Sequence, residues 1–270
     1  MKHIVCYSGG HSSALVAVEV ARRYGIEDLI LVNHDVALED DDVKRFKKEV
    51  AEYIGVSITY ANMKDAQTKN QFKVVVDAQA FKVGVGNVIC TSRMKTEPFY
   101  TYLENEHPDK DCVIYYGFDS TPHELMRVQR RSSILGAQGY KTDFPLALWK
   151  DRTINDTKEI GIEPPLLYST FKHANCIGCL KAGRQHWYVV YCNYPVVWEE
   201  AKWAEDEIGY TIIKNTSLAD LEPMFKKMKE AGVPATEHIQ PAKFWASAKK
   251  SIMELPVIQN EAEMPCECSV

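Results

Sequence analysis

The sequence predicts an α/β fold in which a parallel sheet precedes a smaller C-terminal lobe rich in cysteine and aromatic residues. Three apolar stretches, at 4–7, 28–33 and 56–60, alternate with two stretches of helical spacing at 14–23 and 43–54. This β-α-β-α-β order predicts parallel strands joined by right-handed crossovers. Such sheets bind ligands at the carboxyl ends of their strands.

The composition changes near residue 166, and aromatic and cysteine residues are frequent from there to residue 203. We therefore expect a boundary between residues 1–165 and 166–270. The aromatic side chains could stack on the bases of a nucleic acid, but at these spacings they more often form the core of a small lobe. They are Trp187, Tyr188, Tyr191, Tyr194, Trp198 and Trp203.

The turn after the first strand reads Ser8-Gly9-Gly10-His11-Ser12-Ser13. Adjacent glycines can adopt positive φ and let a bound group approach the main chain, and Ser12 or Ser13 can cap the helix that follows. The N-terminus of such a helix offers free N–H groups and a positive dipole end, which suit a phosphate anion. The turn has neither the lysine of a Walker A loop nor the third glycine of a dinucleotide fingerprint. An ordinary strand-to-helix turn is the alternative.

The remaining elements of the first half extend the same architecture. The second strand ends in His34-Asp35, so this pair, the turn at 8–13 and the end of the third strand are expected to meet in one crevice. Downstream, the pattern predicts helices over 71–81, 97–104, 122–134 and 153–160 and a strand over 112–116. In the second half it predicts helices over 217–231 and 244–255.

Composition limits the function classes. The 270 residues are 46% hydrophobic and 26% charged, as in soluble globular proteins, and the net charge of −5 excludes a globally basic nucleic-acid binder. We expect no signal peptide and no membrane span, and hence a cytoplasmic protein. In that compartment the eight cysteines are expected to be metal ligands, redox groups or core residues rather than disulfides.

The cysteine spacing suggests a metal site. Cys176 and Cys179 are spaced as half of a tetrahedral thiolate site, and Cys266 and Cys268 could supply the other half, for Zn²⁺ or an Fe–S cluster. Three alternatives stay open: Cys90 joins the first pair, the first pair is a redox couple, or the pairs are unrelated thiols. Three others, in apolar or aromatic runs, are expected in the core: Cys6, Cys112 and Cys192.

Four motifs together resemble the PAPS-reductase-like branch of the PP-loop (N-type) ATP pyrophosphatases, over about residues 4–179. They are the turn at 8–13, the pair His34-Asp35, the run Cys90-Thr91 with Lys95 and Pro98, and the stretch Phe144-Pro145-Leu146, Trp149, Pro164-Pro165-Leu166-Leu167-Tyr168 and Cys176-x-x-Cys179. Two departures weigh against PAPS itself as the substrate. Asp119 stands where many relatives carry arginine, and Cys266-Glu267-Cys268 replaces the Glu-Cys-Gly-Leu-His tail of true PAPS reductases.

The resemblance implies a Rossmann-like sheet of the adenine nucleotide alpha hydrolase type, with 1–165 as the nucleotide-binding domain and 166–270 as the lobe. The loop residues Ser8, Gly9, Gly10, His11, Ser12 and Ser13 would hold the phosphates of ATP. Asp35 is the candidate ligand of Mg²⁺, with a solvated loop carboxylate as the alternative, and His34 could equally be a packing or a catalytic residue. Lys95, Arg127 and Arg131 are candidate catalytic cations for the leaving pyrophosphate, or else solvated surface cations.

On this resemblance the expected activity is adenylation of an acceptor, with release of pyrophosphate, for sulfur or nitrogen transfer. The acceptor would be a nucleic acid or a small molecule, and a sulfur-donor protein or thioredoxin would be a partner. The alternative enzyme is a thiol-dependent reductase of PAPS or APS, with Cys266 or Cys268 as the essential thiol. A nucleotide-binding module without turnover is the third hypothesis.

Overall fold

The fold is α/β, with a five-stranded parallel sheet whose strand order is β3-β2-β1-β6-β7. A computed structural model of the protein describes residues 1–83, 87–174 and 176–252. The parallel pairing confirms the predicted fold class and is consistent with a Rossmann-like arrangement. The strands are β1 (Lys2–Cys6), β2 (Leu29–Asn33), β3 (Ile58–Tyr60), β4 (Lys82–Val83), β5 (Asn87–Val88), β6 (Cys112–Tyr115) and β7 (Lys141–Asp143), of which β4 and β5 form a separate antiparallel pair.

Helices connect the strands, and every named element after β7 in the described chain is helical. They are α1 (His11–Tyr24), α2 (Asp41–Ile54), α3 (Gln71–Asp77), α4 (Ile89–Thr91), α5 (Glu97–Glu106), α6 (Pro122–Ala137), α7 (Pro145–Leu148), α8 (Arg184–Asn193), α9 (Pro195–Ile208), α10 (Leu218–Glu230) and α11 (Pro241–Ser251). A π-helical turn, Ser92–Thr96, joins α4 to α5, and 3₁₀ turns cover Thr157–Ile160 and Leu166–Ser169.

Helix α2 shows how the local sequence fixes an element that supports the site. Asp40 caps its N-terminus by accepting a hydrogen bond from the Asp42 N–H at 2.9 Å. Gly55 ends it in the left-handed conformation, at φ +84°, where glycine carries no steric penalty. Between these stops, Val43, Phe46 and Val50 recur at helical spacing and are buried. Phe46 and Val50 pack against the sheet, whereas Val43 packs with Leu167 from the second half of the chain.

Strand order creates a switch point between β1 and β6. The chain leaves β1 toward β2 on one side, and β6 and β7 extend the sheet on the other side. Loops at such a point diverge and leave a crevice, which is where open parallel sheets bind ligands. Gly117 follows β6 there, and a Cβ on it would lie 3.0 Å from the backbone C of Ser12 and N of Ser13. The start of α1 therefore packs directly on this glycine.

Neighbouring residues of β1 face opposite sides of the sheet, as expected of a buried strand. Val5 packs with Leu15 and Phe46 under α1 and α2. Ile4 packs with Phe99 and other residues on the opposite face. Both faces of the sheet are thus covered, which is the usual environment of an all-parallel sheet.

The aromatic residues beyond residue 166 form a core, as predicted. Trp187 and Trp198 are 0% and 2% exposed, and their cluster also contains Phe225. Trp203 is the exception, because it is 37% exposed. The same cluster includes Phe72 and other residues from before residue 165. The predicted boundary at 165/166 remains a prediction, and apolar packing crosses it.

Two elements differ from the sequence-based expectation. Strand β7 was not predicted, since Lys-Thr-Asp has no apolar pattern and pairs only at the sheet edge. The helix expected over 97–104 already begins at Ile89, because the π-helical turn carries the chain from α4 into α5 without a break. Within the three described ranges, every helix is too short or too polar to span a bilayer.

The contact between Gly117 and the start of α1 predicts a specific loss of stability. In Gly117→Ala the new methyl group meets backbone atoms that cannot rotate away, so we expect a loss of about 1–3 kcal/mol in the free energy of unfolding. Gly136→Ala is the matched control, because a Cβ there meets nothing within 4 Å and alanine favours a helix by up to about 1 kcal/mol. Urea titration measures both variants, and equal stability of the two would contradict the packing described.

Candidate functional site

A cleft of about 400 Å³ opens at the carboxyl ends of β1, β2 and β6. This volume lies within the usual range for small-molecule sites. The loop after β1, the end of β2 and the loop after β6 all contribute to its walls, as the strand order requires. The segment after residue 166 closes one side with Tyr168, His173, Ala174 and Cys176.

Both glycines of the loop after β1 lie close to other side chains. Gly9 has φ +83°, and a Cβ there would lie 2.5 Å from Lys47 Cγ. Gly10 is the N-cap of α1, and a Cβ on it would lie 3.3 Å from the Tyr168 hydroxyl. The prediction that a serine caps α1 was wrong, because the helix already begins at His11 and both serines lie in its first turn. Ser13 Oγ instead donates to the Gly10 carbonyl at 2.8 Å.

The first turn of α1 borders the cleft. The Ala14 N–H makes the first helical hydrogen bond, to the Gly10 carbonyl at 3.1 Å, and the His11 N–H donates to the Tyr168 hydroxyl at 3.0 Å. Over the residues that the structure describes, the N–H groups of Ser12 and Ser13 have no acceptor, and both residues line the cleft. Two N–H groups at the positive end of a helix dipole make an anion site.

A buried ion pair supports the loop from below. Lys47 Nζ lies 2.6 Å from Glu39 Oε2 and donates to Asn33 Oδ1 at 3.0 Å. The Lys47 side chain is 3% exposed and that of Glu39 is 11% exposed, so neither charge has much access to water. Burial raises the pKa of Glu39, and the Lys47 ammonium opposes this rise. Asn33 also donates to the Tyr7 carbonyl, which ties the end of β2 to the loop.

His34 is a neutral group at the cleft wall. Its Nδ1 lies 2.5 Å from the Ala61 carbonyl, which can only accept, so Nδ1 carries the proton. Burial lowers the pKa of His34 to about 4, helped by the charges of Lys95 and Lys47. The ring is therefore uncharged at neutral pH, and Nε2 is its hydrogen-bond acceptor.

The three predicted catalytic cations occupy different positions. Lys95 and Arg127 line the cleft. Arg127 Nη1 donates to Glu124 Oε1 at 2.7 Å, and its guanidinium lies 4.2 Å from the centre of the Phe118 ring. Arg131 is not among the lining residues, and its guanidinium lies 6.0 Å from the centre of the Tyr116 ring.

The predicted nucleotide-binding residues are likewise divided between the cleft and its support. Ser8, Gly10, Ser12 and Ser13 line the cleft, whereas Gly9 is buried above Lys47. The His11 side chain points to a neighbouring loop, where its Nε2 accepts from the Thr157 N–H at 3.3 Å and lies 3.4 Å from Asp156 Oδ1.

The carboxylates at the cleft are not the one predicted to hold magnesium. Asp35 donates its backbone N–H to Asn62 Oδ1 at 2.7 Å and is not among the lining residues. Glu39, Asp119 and Glu124 line the cleft instead. Magnesium bound to phosphates needs only one or two carboxylates from the protein. Glu39 and Asp119 therefore fit that role by position, although Glu39 is paired with Lys47 and Asp119 accepts from the Thr121 N–H at 2.8 Å.

The turn Cys176-x-x-Cys179 is held firmly at the side of the cleft. Its Ile177 N–H donates to the Leu38 carbonyl at 3.2 Å, and the Gln71 side chain donates to the Ile177 carbonyl at 2.8 Å. Cys176 lines the cleft, whereas Cys179 is buried at 6% exposure.

The predicted four-cysteine metal site is untested in this structure. Cys266 and Cys268 lie outside the described residues. Among the residues inside those ranges, no three His, Cys, Asp or Glu side chains cluster as metal ligands would. Cys90 packs against the same apolar cluster as Cys176. Of the three cysteines predicted to lie in the core, Cys6 and Cys112 are buried and Cys192 is half-buried. Burial raises the pKa of the Cys6 thiol to about 12.

Sequence reasoning missed Glu39, Lys47, Gly117 and the contact of Tyr168 with the loop. In a charged segment, the sequence pattern does not distinguish a buried lysine or glutamate from a solvated one. Gly117 was visible only as a glycine at a strand end. The Tyr168 contact joins residues that are 157 positions apart, and no local pattern encodes it.

Comparisons of the chain with protein-family models, curated proteins and solved structures gave no match. The resemblance to PP-loop enzymes therefore stays a prediction from the sequence motifs.

The buried ion pair predicts a large, charge-specific loss of stability. Lys47→Met keeps the packing against Gly9 but leaves Glu39 buried without its partner. We therefore expect the free energy of unfolding to fall by about 3–5 kcal/mol. Lys44→Met removes the exposed pair with Asp41 and should cost less than about 1 kcal/mol. The Lys47→Met deficit should be larger at pH 8 than at pH 5, because a raised carboxyl pKa in the folded state favours folding only at acid pH. A pH-independent deficit, measured by urea titration, would contradict the ionic explanation.

His34 predicts a second pH effect. Its folded pKa of about 4 lies below the ordinary value of 6.5, so its contribution to stability is complete above pH 6.5 and is lost as the pH falls toward 4. Over this pH range we expect the free energy of unfolding to fall by about 3 kcal/mol. His34→Asn can still donate to Ala61 but cannot be protonated, so its stability should fall less over this range. Wild-type behaviour of His34→Asn in urea titrations at pH 7 and 4.5 would contradict the assignment.

Proposed function

We propose that the protein is an ATP-dependent adenylating enzyme of the PP-loop pyrophosphatase type, with an adenine nucleotide alpha hydrolase-like sheet. The observation that carries this proposal is the pair of N–H groups on Ser12 and Ser13, which have no acceptor among the described residues and belong to residues that line the cleft at the sheet's switch point. A glycine loop, a helix N-terminus and flanking cations at one crevice suit a polyphosphate better than any neutral ligand.

In the proposed reaction an acceptor oxygen attacks the α-phosphorus of ATP. The new O–P bond forms as the bond from the α-phosphorus to the β-bridging oxygen breaks, and the electron pair leaves with pyrophosphate. A nitrogen or sulfur nucleophile then displaces AMP from the acceptor. The chain's contribution is to place fixed positive charge where the leaving group gains negative charge.

The residues divide this work by position. The N–H groups of Ser12 and Ser13 would bind phosphate oxygens, and Lys95 and Arg127 would neutralise the leaving pyrophosphate. Mg²⁺, held with the phosphates by Glu39 or Asp119, would supply further charge neutralisation when bound. The neutral His34 adds no charge and offers Nε2 as an acceptor.

The position of Cys176 favours sulfur transfer as the second half-reaction, because this thiol lines the same cleft as the loop. It equally supports the second candidate, a thiol-dependent reductase of PAPS or APS. The two candidates differ in whether ATP is cleaved. The six cysteines within the described residues are free thiols, which fits the cytosol as the compartment.

Incubation with ATP and Mg²⁺ tests the proposal. We expect AMP and pyrophosphate in equal amounts, with a rate that rises when nucleic-acid or small-molecule acceptors are added. Lys95→Met should lower the rate by about 10²–10³-fold, as removal of a group that stabilises a transition state does. Lys44→Met, on an exposed pair away from the cleft, should keep the wild-type rate.

Sulfite release from PAPS or APS that depends on added thiol and leaves ATP intact would establish the reductase instead. Tight ATP binding without either reaction would indicate a binding module. Equal rates for Lys95→Met and wild type would remove Lys95 from the mechanism.

A further inference from the structure

Tyr168 connects the loop after β1 to the second half of the chain. It lies in the 3₁₀ turn Leu166–Ser169. The Leu166 N–H, at the start of this turn, donates to Asp42 Oδ2 at 2.6 Å. The Tyr168 carbonyl accepts from His238 Nε2, also at 2.6 Å. Both ends of this short turn are thus anchored, and the ring is held at the cleft wall.

The hydroxyl oxygen of Tyr168 acts as an acceptor for the main chain. The His11 N–H donates to it at 3.0 Å. Burial raises the pKa of Tyr168, whereas the backbone groups of His11 and Ala174 lower it, as N–H donors to a phenol oxygen do. The hydroxyl therefore keeps its proton at neutral pH.

That proton is available to a ligand. A phenol has one O–H to donate, and within the described ranges Tyr168 donates to no other residue. The oxygen lies 3.3 Å from the position of a Cβ on Gly10, which places it beside the N-cap of α1. Since Tyr168 lines the cleft, its O–H can be donated to a ligand bound there.

We propose that Tyr168 is a phosphate-contacting residue, which donates its O–H to an oxygen of a bound pyrophosphate group while it keeps the His11 N–H. This inference rests on the proposed polyphosphate site and adds a third donor, from the second half of the chain, to the two N–H groups of Ser12 and Ser13. It explains why the Tyr168 side chain contacts the loop after β1 and yet leaves the cleft open. If the Tyr168 hydroxyl only occupied the anion's place at the loop, it would have to move away before an anion could bind there.

Binding of inorganic pyrophosphate and of adenosine, each measured by calorimetry, tests this assignment. Tyr168→Phe should weaken pyrophosphate binding by about 10- to 100-fold, the range for one hydrogen bond to a charged group. Adenosine, which has no phosphate, should bind within twofold of wild type. Tyr210→Phe, at a residue 69% exposed, is the matched control and should change neither affinity.

Unchanged pyrophosphate affinity in Tyr168→Phe would overturn the inference, and tighter binding would show that the hydroxyl blocks the site. If the wild-type protein binds no pyrophosphate, the proposed polyphosphate site itself fails. Should Tyr168→Phe not fold, Gly10→Ala serves as the second variant, because its Cβ would crowd the hydroxyl at 3.3 Å. It should weaken pyrophosphate selectively, and equal effects on both ligands would overturn the inference.

Discussion

The close packing of backbone at the start of α1 is the constraint on which the candidate site depends. Gly117 lies against the backbone of Ser12 and Ser13, with 3.0 Å between a Cβ position and the nearest main-chain atoms. On the other side Gly9 lies on the Lys47 side chain. No residue larger than glycine fits either contact without movement, so the first turn of α1 is fixed in place at the edge of the cleft.

The cleft carries both signs of charge in a chain whose net charge is −5, because three carboxylates line it together with two cations. The helix dipole, Lys95 and Arg127 contribute positive potential at the cleft. The buried Lys47 is compensated by Glu39, which lets it support the loop without an unpaired charge. Burial keeps His34 neutral, because its pKa is lowered to about 4.

The strand and helix pattern and the glycine loop could be predicted because they depend on local residues. The apolar runs gave the parallel sheet, and the site lies at the strand ends where such a sheet requires it. The sequence pattern could not predict which side chains the tertiary structure buries or brings to the cleft. Asp35 was the predicted magnesium ligand, yet Glu39 lines the cleft and Asp35 does not. Lys47 resembled a solvated helix residue although it is buried. Strand β7 has no apolar signature because it lies at an edge.

A crystal structure of the protein with a non-hydrolysable ATP analogue and Mg²⁺ tests the central claim most directly. The account predicts that the β- and γ-phosphates lie at the first turn of α1, with oxygens within hydrogen-bond distance of the Ser12 and Ser13 N–H groups. Phosphates bound elsewhere, with these two N–H groups facing only water or protein, would contradict it.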